Sequence, residues 1–492
     1  MTLLIGLDLG TTGCKAAVYD ETGRLLGGSY LEYGLITLSA TEIEQDARAW
    51  WELTCRAIRT AIDAAGVDGH AVKGISVSSQ GISFVCVDAA GEPLGNAINW
   101  LDTRAVAECD RILEKFDVAA LFALTGKRAS PAYTLPKLLW LAAHRPDTWA
   151  ATRKVLMGHD YLVYRLCGET VTDHSMAGGT LLYDLHALDW STALLDAFDL
   201  SPELLPTLRW PGTPLAYVRP EVAAELGLGA DVVVATGGQD QKCAALGAGI
   251  RDGLATLSLG TATAIVQVMD APRTDPERRV PTFAFLEPQR WVLEGVVGTG
   301  AGSLRWHRDV LAPGVSYQAL DEEAAAVRRG ADGVRFHPHL SGATSPYWRP
   351  HIHGAYENLS LATTRGHLTR AVLEGVAFQM RANLEVTQGI AGPVSDAIVF
   401  GGGAVSPLWR EIISDVTALP VRWTPSVETA CLGAAMLAGV GAGVFNSLDE
   451  ARERMVQISA RREPDPAAVS EYNDWYELYC EAGARLMAGS AL

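Results

Sequence analysis

Apolar residues run from Leu3 to Leu9, give way at Asp8-Leu-Gly-Thr-Thr-Gly13 to a turn, and resume as Ala16-Ala-Val-Tyr19. Two apolar runs around a Gly/Thr tip predict a hairpin at the start of the chain. The pattern returns much later, where Leu254 to Leu259 leads into Gly260-Thr261-Ala-Thr263 and out through Ala264-Ile-Val-Gln-Val268. Leu7-Asp-Leu-Gly-Thr-Thr12 and Leu257-Ser-Leu-Gly-Thr-Ala262 share Leu, Leu, Gly and Thr in register. Two copies of one topology would produce this match, with chance as the alternative for so short a segment.

Between the hairpins, Asp46 caps a helix running to about Ala65, and Val72 to Val77 and Phe84 to Val87 read as strands. Val232-Val-Val-Ala235 is a further strand, followed by a Gly-rich loop, Thr236-Gly-Gly-Gln-Asp240-Gln241, and a helix from near Lys242. In the second half, Leu368 to Leu384 reads as a largely buried helix, and Ala397 to Phe400 as a strand ending in Gly401-Gly-Gly-Ala404. Tyr472, Trp475, Tyr476 and Tyr479 recur at helical spacing, most simply a core-docking stripe, with a homodimer surface as the second reading. The whole is mixed α/β, with the Gly-rich, charged segment Gly247 to Gly253 as boundary and candidate hinge.

Length supports this division: 492 residues exceed what one core accommodates, so two domains are expected. A net charge of −17 repels phosphodiester backbones and anionic lipid, which argues against nucleic-acid and membrane-surface partners. No basic region precedes the short apolar run at the N-terminus, no stretch has the length of a spanning helix, and the eight Cys show no CxxC pair. A soluble, cytoplasmic protein with reduced thiols is the expectation.

Chemistry concentrates at the turns. In Asp8-Leu-Gly-Thr-Thr-Gly13, glycines let backbone N–H groups approach an anion, Thr11 and Thr12 add hydroxyl donors, and Asp8 is placed to hold a hydrated Mg²⁺. Residues that merely suit a turn are the competing reading, as is a solvated Lys15 against one that meets a phosphoryl group. Asp240, at a strand end, is a candidate base that would accept a hydroxyl proton and share Mg²⁺, or else a helix cap. There is no GxxxxGK[ST] loop and no clear GxGxxG after the first strand, which argues against P-loop ATPases and Rossmann dehydrogenases. His337-Pro-His339 and His351-Ile-His353 lack a completing Cys or carboxylate nearby in sequence and read as loop histidines. Cys14 reads as an inert small residue.

Assembled in order, the residues resemble the FGGY carbohydrate kinases, the family of xylulokinase and glycerol kinase. The resemblance runs from Leu4 to about Val444. It rests on Asp8-Leu-Gly-Thr-Thr-Gly13, Glu44-Gln-Asp46, Trp100-Leu-Asp-Thr-Arg104, Gly238-Gln-Asp-Gln241, Ser258-Leu-Gly-Thr261, Pro346-Tyr-Trp-Arg-Pro350, Gly401-Gly-Gly-Ala404 and Leu432-Gly-Ala-Ala435. It implies two ribonuclease-H-like (actin-like ATPase) domains, residues 1–246 and 247–492, flanking a cleft that closes around Mg·ATP and a sugar. Asp240 matches the catalytic base, and Asp8 with Asp240 the metal site. Thr11, Thr12, Lys15, Gly260 and Thr261 match phosphate contacts; Ala301, Arg305, Gly402, Gly403 and Pro407 fall where family members touch the rest of the nucleotide. Gln80, Gly81, Trp100, Asp102, Asp240 and Gln241 are the candidate substrate contacts. Where xylulokinases carry Met-His and glycerol kinases Arg-Glu, this chain has Gln80-Gly-Ile-Ser83.

The implied activity is ATP-dependent phosphorylation of a small ketose or polyol, D-xylulose first, with glycerol, erythritol and ribulose as alternatives. An actin-like ATPase acting on a protein partner shares the two phosphate hairpins. A sugar-binding regulator that has lost catalysis is disfavoured by the presence of both Asp8 and Asp240.

Overall fold

A computed structural model describes residues 2–426 and 428–489. Two sheets share one plan. In the first, Leu3–Leu9 pairs antiparallel with Gly13–Asp20, which pairs antiparallel with Leu25–Glu32; on its other side Leu3–Leu9 runs parallel to Val72–Ser79, and that strand parallel to Val233–Gln239. In the second, Leu254–Ser258 pairs antiparallel with Thr263–Met269, which pairs antiparallel with Trp291–Val297, while Asp396–Phe400 and then Val421–Trp423 follow in parallel on the other side. The two hairpins therefore open two equivalent sheets, as the repeated Leu-x-Leu-Gly-Thr suggests.

Strands covered on both faces need apolar side chains on both, which is why these segments read as runs rather than alternations. The helix Ala47–Ala65, capped by the Asp46 side chain on the Arg48 N–H, belongs to the core of the first sheet. Another cover of that sheet comes from the far end of the chain: Thr429–Gly441 packs so tightly that a Cβ on Gly6 would lie 1.8 Å from the Cys431 carbonyl oxygen. In return, Asp240–Gly247 from the first half places Ala244 against Leu254, Ile398 and Phe400 of the second sheet. The exchanged helices touch at Gly247 and Gly433, where a Cβ would fall 2.0 Å from a backbone oxygen of the other helix. This exchange brings the ends of Leu3–Leu9 and Val233–Gln239, hence Asp8 and Asp240, to the junction of the halves.

Boundaries differ from the sequence reading in instructive ways. Thr236 to Gln239 is strand, not loop: Val233–Gln239 continues along Val72–Ser79 through an irregularity between Ala235 and Gly238. A side chain at Gly237 would meet the Val77 carbonyl oxygen at 1.9 Å, so glycine here serves close strand approach. The long helix extends from Arg365 to Ala391. In the terminal helix Pro466–Gly489, Tyr472, Tyr476 and Tyr479 are buried against Phe378, and the Tyr472 hydroxyl donates to Glu374 at 2.9 Å while accepting from Arg370. The aromatic stripe docks into the core.

Candidate active site

The first hairpin positions Asp8 opposite Lys15. Asp8 is half-buried, and burial raises its carboxyl although Lys15 and a hydrogen bond from the Ser78 hydroxyl, 2.9 Å, favour the ionised form. Lys15 forms an ion pair with Glu428 at 2.6 Å. At the tip, the Thr11 hydroxyl accepts from Trp100 Nε1 at 2.8 Å, the Thr11 carbonyl accepts from Gln45 at 2.6 Å, and Thr12 is exposed. The hairpin tip is thus held by Trp100 and Gln45.

Asp240 opens the helix Asp240–Gly247 in its first turn, so the cap is its neighbour Gln239, whose side chain accepts from the Gln241 N–H. That corrects the reading of Asp240 as the cap. The Asp240 carboxylate accepts from the Gln241 N–H at 2.7 Å and from the Gln239 side chain. Burial, then repulsion from Asp8 and Glu294, pushes its carboxyl up to about 7, against the Gln241 N–H and Lys242. Lys242 is itself buried and tied to Glu294 at 2.5 Å. A carboxylate poised near neutrality is suited to take a proton from an alcohol.

Support for this strand end comes from residues that the sequence did not single out. The Gln239 N–H donates to the Ser175 hydroxyl at 3.0 Å, Ser175 donates to Asp173 at 2.5 Å, and the Gly237 N–H donates to His159 at 3.0 Å. All three side chains are buried and come from a segment far from Asp240 in sequence.

Of the expected acceptor contacts, Trp100 is 39% exposed, and its N–H donates to the Ser83 hydroxyl at 2.9 Å. Gly81 faces the Gln239 side chain, 3.3 Å from where a Cβ would sit, and the next residue, Ile82, is held at φ 58°, a strained value for a β-branched side chain. Gln80 is buried, joined to Gln45 at 2.8 Å and Asn99 at 3.2 Å, so it stiffens the wall from behind. Asp102 is a correction: it is fully buried, and its carboxylate accepts from the Ile43 N–H and from Arg104, which also reaches Glu44 at 2.9 Å. That oxygen set is engaged by the protein, and Asp102 shapes the loop below Trp100 instead of facing the cleft.

The second hairpin opens a cavity of about 780 Å³. Gly260, Thr261, Ala301, Arg305, Gly402, Gly403 and Pro407 all line it, whereas Thr11, Thr12 and Lys15 do not. The Gly260 carbonyl accepts from the Ala301 N–H at 2.9 Å, and the Leu259 carbonyl from the Gly403 N–H at 3.0 Å, which ties hairpin tip, helix start and Gly triplet together. The wall is completed by the helix Tyr317–Ala325, which the sequence analysis did not single out. Tyr317, Asp321 and Ala325, four apart, face the cavity.

Among the described residues, no group of three or more His, Cys, Asp or Glu side chains gathers around a cation position. Asp8, whose charge raises Asp240, and Asp240 itself are a donor pair that fits a hydrated Mg²⁺, which takes one or two protein carboxylates and fills its shell with water and phosphate. His337 and His339 are buried, His337 stacking on Tyr479, while His351 and His353 are exposed. Cys14 is buried, its thiol pushed up to about 11.

The chain as a whole has relatives among known proteins. Residues 3–247 match the N-terminal domain, and residues 255–442 the C-terminal domain, of the FGGY family of carbohydrate kinases. A xylulose kinase of Bacillus subtilis is 31% identical over 480 residues, covering 97% of this chain and 96% of that one. A gluconokinase of the same organism is 29% identical over 481 residues, covering 95% and 93%. The solved structure of a "xyloylose kinase" from Brucella ovis superposes with a TM-score of 0.91 at 32% identity, over 99% of each chain. Two domain models in sequence and full-length likeness agree with the site's geometry: the chain belongs to the FGGY family of carbohydrate kinases.

Proposed function

We propose that the protein transfers the γ-phosphoryl group of ATP to a hydroxyl of a neutral ketose, D-xylulose being the first candidate. The observation that carries this is Asp240, a carboxyl raised to about 7 at a strand end beside Asp8. Asp240 takes the proton of the acceptor hydroxyl as its oxygen bonds to phosphorus; the bond from phosphorus to the β–γ bridging oxygen breaks, leaving ADP. When bound, Mg²⁺ at Asp8 and Asp240 supplies neutralisation of phosphate charge. Thr11, Thr12 and Lys15 orient the phosphates from the first hairpin and Gly260 and Thr261 from the second, while residues 1–246 and 247–492 close about Gly247 to Gly253 and exclude water.

The charge around the base favours a neutral acceptor over an aldonate. Asp8 and Glu294 both act on Asp240 as negative neighbours, and Lys242, the cation that acts on it, is committed to Glu294. A substrate carboxylate would meet repulsion there. The preponderance of xylulose kinases among the relatives supports the same choice.

The experiment is Mg·ATP-dependent ADP release across D-xylulose, D-ribulose, L-ribulose, erythritol, glycerol and gluconate, with Asp240→Asn as control. D-xylulose should raise turnover far above the sugar-free rate, and the substitution should remove about 10³-fold of it. Hydrolysis indifferent to every sugar would overturn the reading in favour of an actin-like ATPase.

A further inference from the structure

Asp321 sits on the cavity wall opposite the second hairpin, among surfaces of a different character from the rest of the lining. Near the hairpin the cavity presents Gly260, Thr261 and Arg305, polar groups suited to phosphate and sugar. Around Asp321 it presents Ala325, Val405, Pro407 and Leu408, apolar surface suited to a flat base. The Ser406 side chain lies beside the Asp321 carboxylate and favours its ionised form, while Oδ1 is buried without a partner. Asp321 is partly exposed on the lining, which leaves Oδ2 as the oxygen for a ligand's donor.

We propose that Asp321 reads the base of the nucleotide by accepting a hydrogen bond from the exocyclic amine of adenine. This rests on the assignment of the cavity to the nucleotide. Adenine offers one donor group, the amine, beside ring nitrogens that only accept; a lone carboxylate oxygen matches that single donor. Guanine presents two adjacent donors, which call for both oxygens of a carboxylate, and Oδ1 is closed to it. Burial raises the Asp321 carboxyl and Ser406 counters that, consistent with an acceptor held ready but incompletely satisfied.

Calorimetric titration of the full chain with ATP, GTP and purine riboside 5′-triphosphate, in Mg²⁺ and without any sugar, tests it. The wild type should bind ATP about tenfold more tightly than the purine analogue, which lacks only the amine, and should discriminate at least as strongly against GTP. Asp321→Ala should bring ATP to the affinity of the analogue, while Asp321→Asn, which keeps an acceptor oxygen and the shape, should retain part of the difference. Equal binding of ATP and the analogue by the wild type, an unchanged ratio in Asp321→Ala, GTP binding as tight as ATP, or no binding of any nucleotide would overturn it. Because no sugar is present, a chain that proves not to phosphorylate sugars can still show the ratio, so the two readings fail separately.

Discussion

The indole N–H of Trp100 donates to the hydroxyl of Thr11 at 2.8 Å, joining the wall where an acceptor would lie to the hairpin tip assigned to phosphate. Under the proposed function, this one bond joins the acceptor and phosphate sides of the site. Trp100→Phe keeps the ring and deletes the donor; Thr11→Val deletes the acceptor. Each should lower kcat/KM for the acceptor about tenfold, and the double variant should do little more than either. Additive losses in that cycle would show that Trp100 and Thr11 act independently.

Asp240 must be ionised to take a proton, so activity should rise with pH through an acid limb centred near 7 in kcat/KM. The groups acting on it are Asp8 and Glu294, which raise it, and the Gln241 N–H and Lys242, which lower it. Glu294→Gln removes a negative charge while keeping an acceptor for Lys242, and should move the limb to lower pH by roughly one unit. More Mg²⁺ should move it the same way, by offsetting the repulsion from Asp8. A limb unmoved by either change would separate the observed titration from Asp240.

Lys15 is tied to Glu428, with about a third of each side chain exposed. A pair this open contributes under about 1 kcal/mol, so Lys15 can exchange Glu428 for a phosphate at little loss. Glu428→Gln should therefore leave the melting temperature nearly unchanged and lower the KM for ATP severalfold, whereas Lys15→Met should raise it about tenfold. If both variants keep the wild-type KM, Lys15 serves the Glu428 contact and not the nucleotide.

Much of this site could be read locally. Asp8 and Asp240 follow apolar runs, and a carboxylate at the end of a buried strand is visible without knowing what it faces. Asp102 is not legible in the same way, because its surroundings are set by Arg104, Glu44 and the Ile43 N–H, which only folding brings around it. The exchange of Asp240–Gly247 and Thr429–Gly441 was hidden for a related reason: Gly6 and Gly433 look like ordinary glycines until the opposing backbone is in place. Asp321 is not legible from the sequence, because nothing local shows that the helix Tyr317–Ala325 lines the cavity with Tyr317, Asp321, Glu322 and Ala325.

The raised carboxyl of Asp240 also bears on stability. Its folded value, about 7, lies above the unfolded one, 3.8, so the folded chain binds more protons between those values and stability falls as pH rises across that window. Below it both states are protonated and nothing is lost; above it the full penalty of an ionised, half-buried base persists. Asp240→Asn, neutral at every pH, should melt at about the wild-type temperature at pH 4. At pH 8, without Mg²⁺ and nucleotide, it should be more stable by on the order of 2 kcal/mol. Mg²⁺ should narrow the gap at pH 8 by stabilising the wild type alone. A variant that is inactive yet more stable would identify Asp240 as a residue held against its own solvation for the sake of the reaction; one less stable at both pH values would make it a structural carboxylate, and the base would have to be sought elsewhere in the cleft.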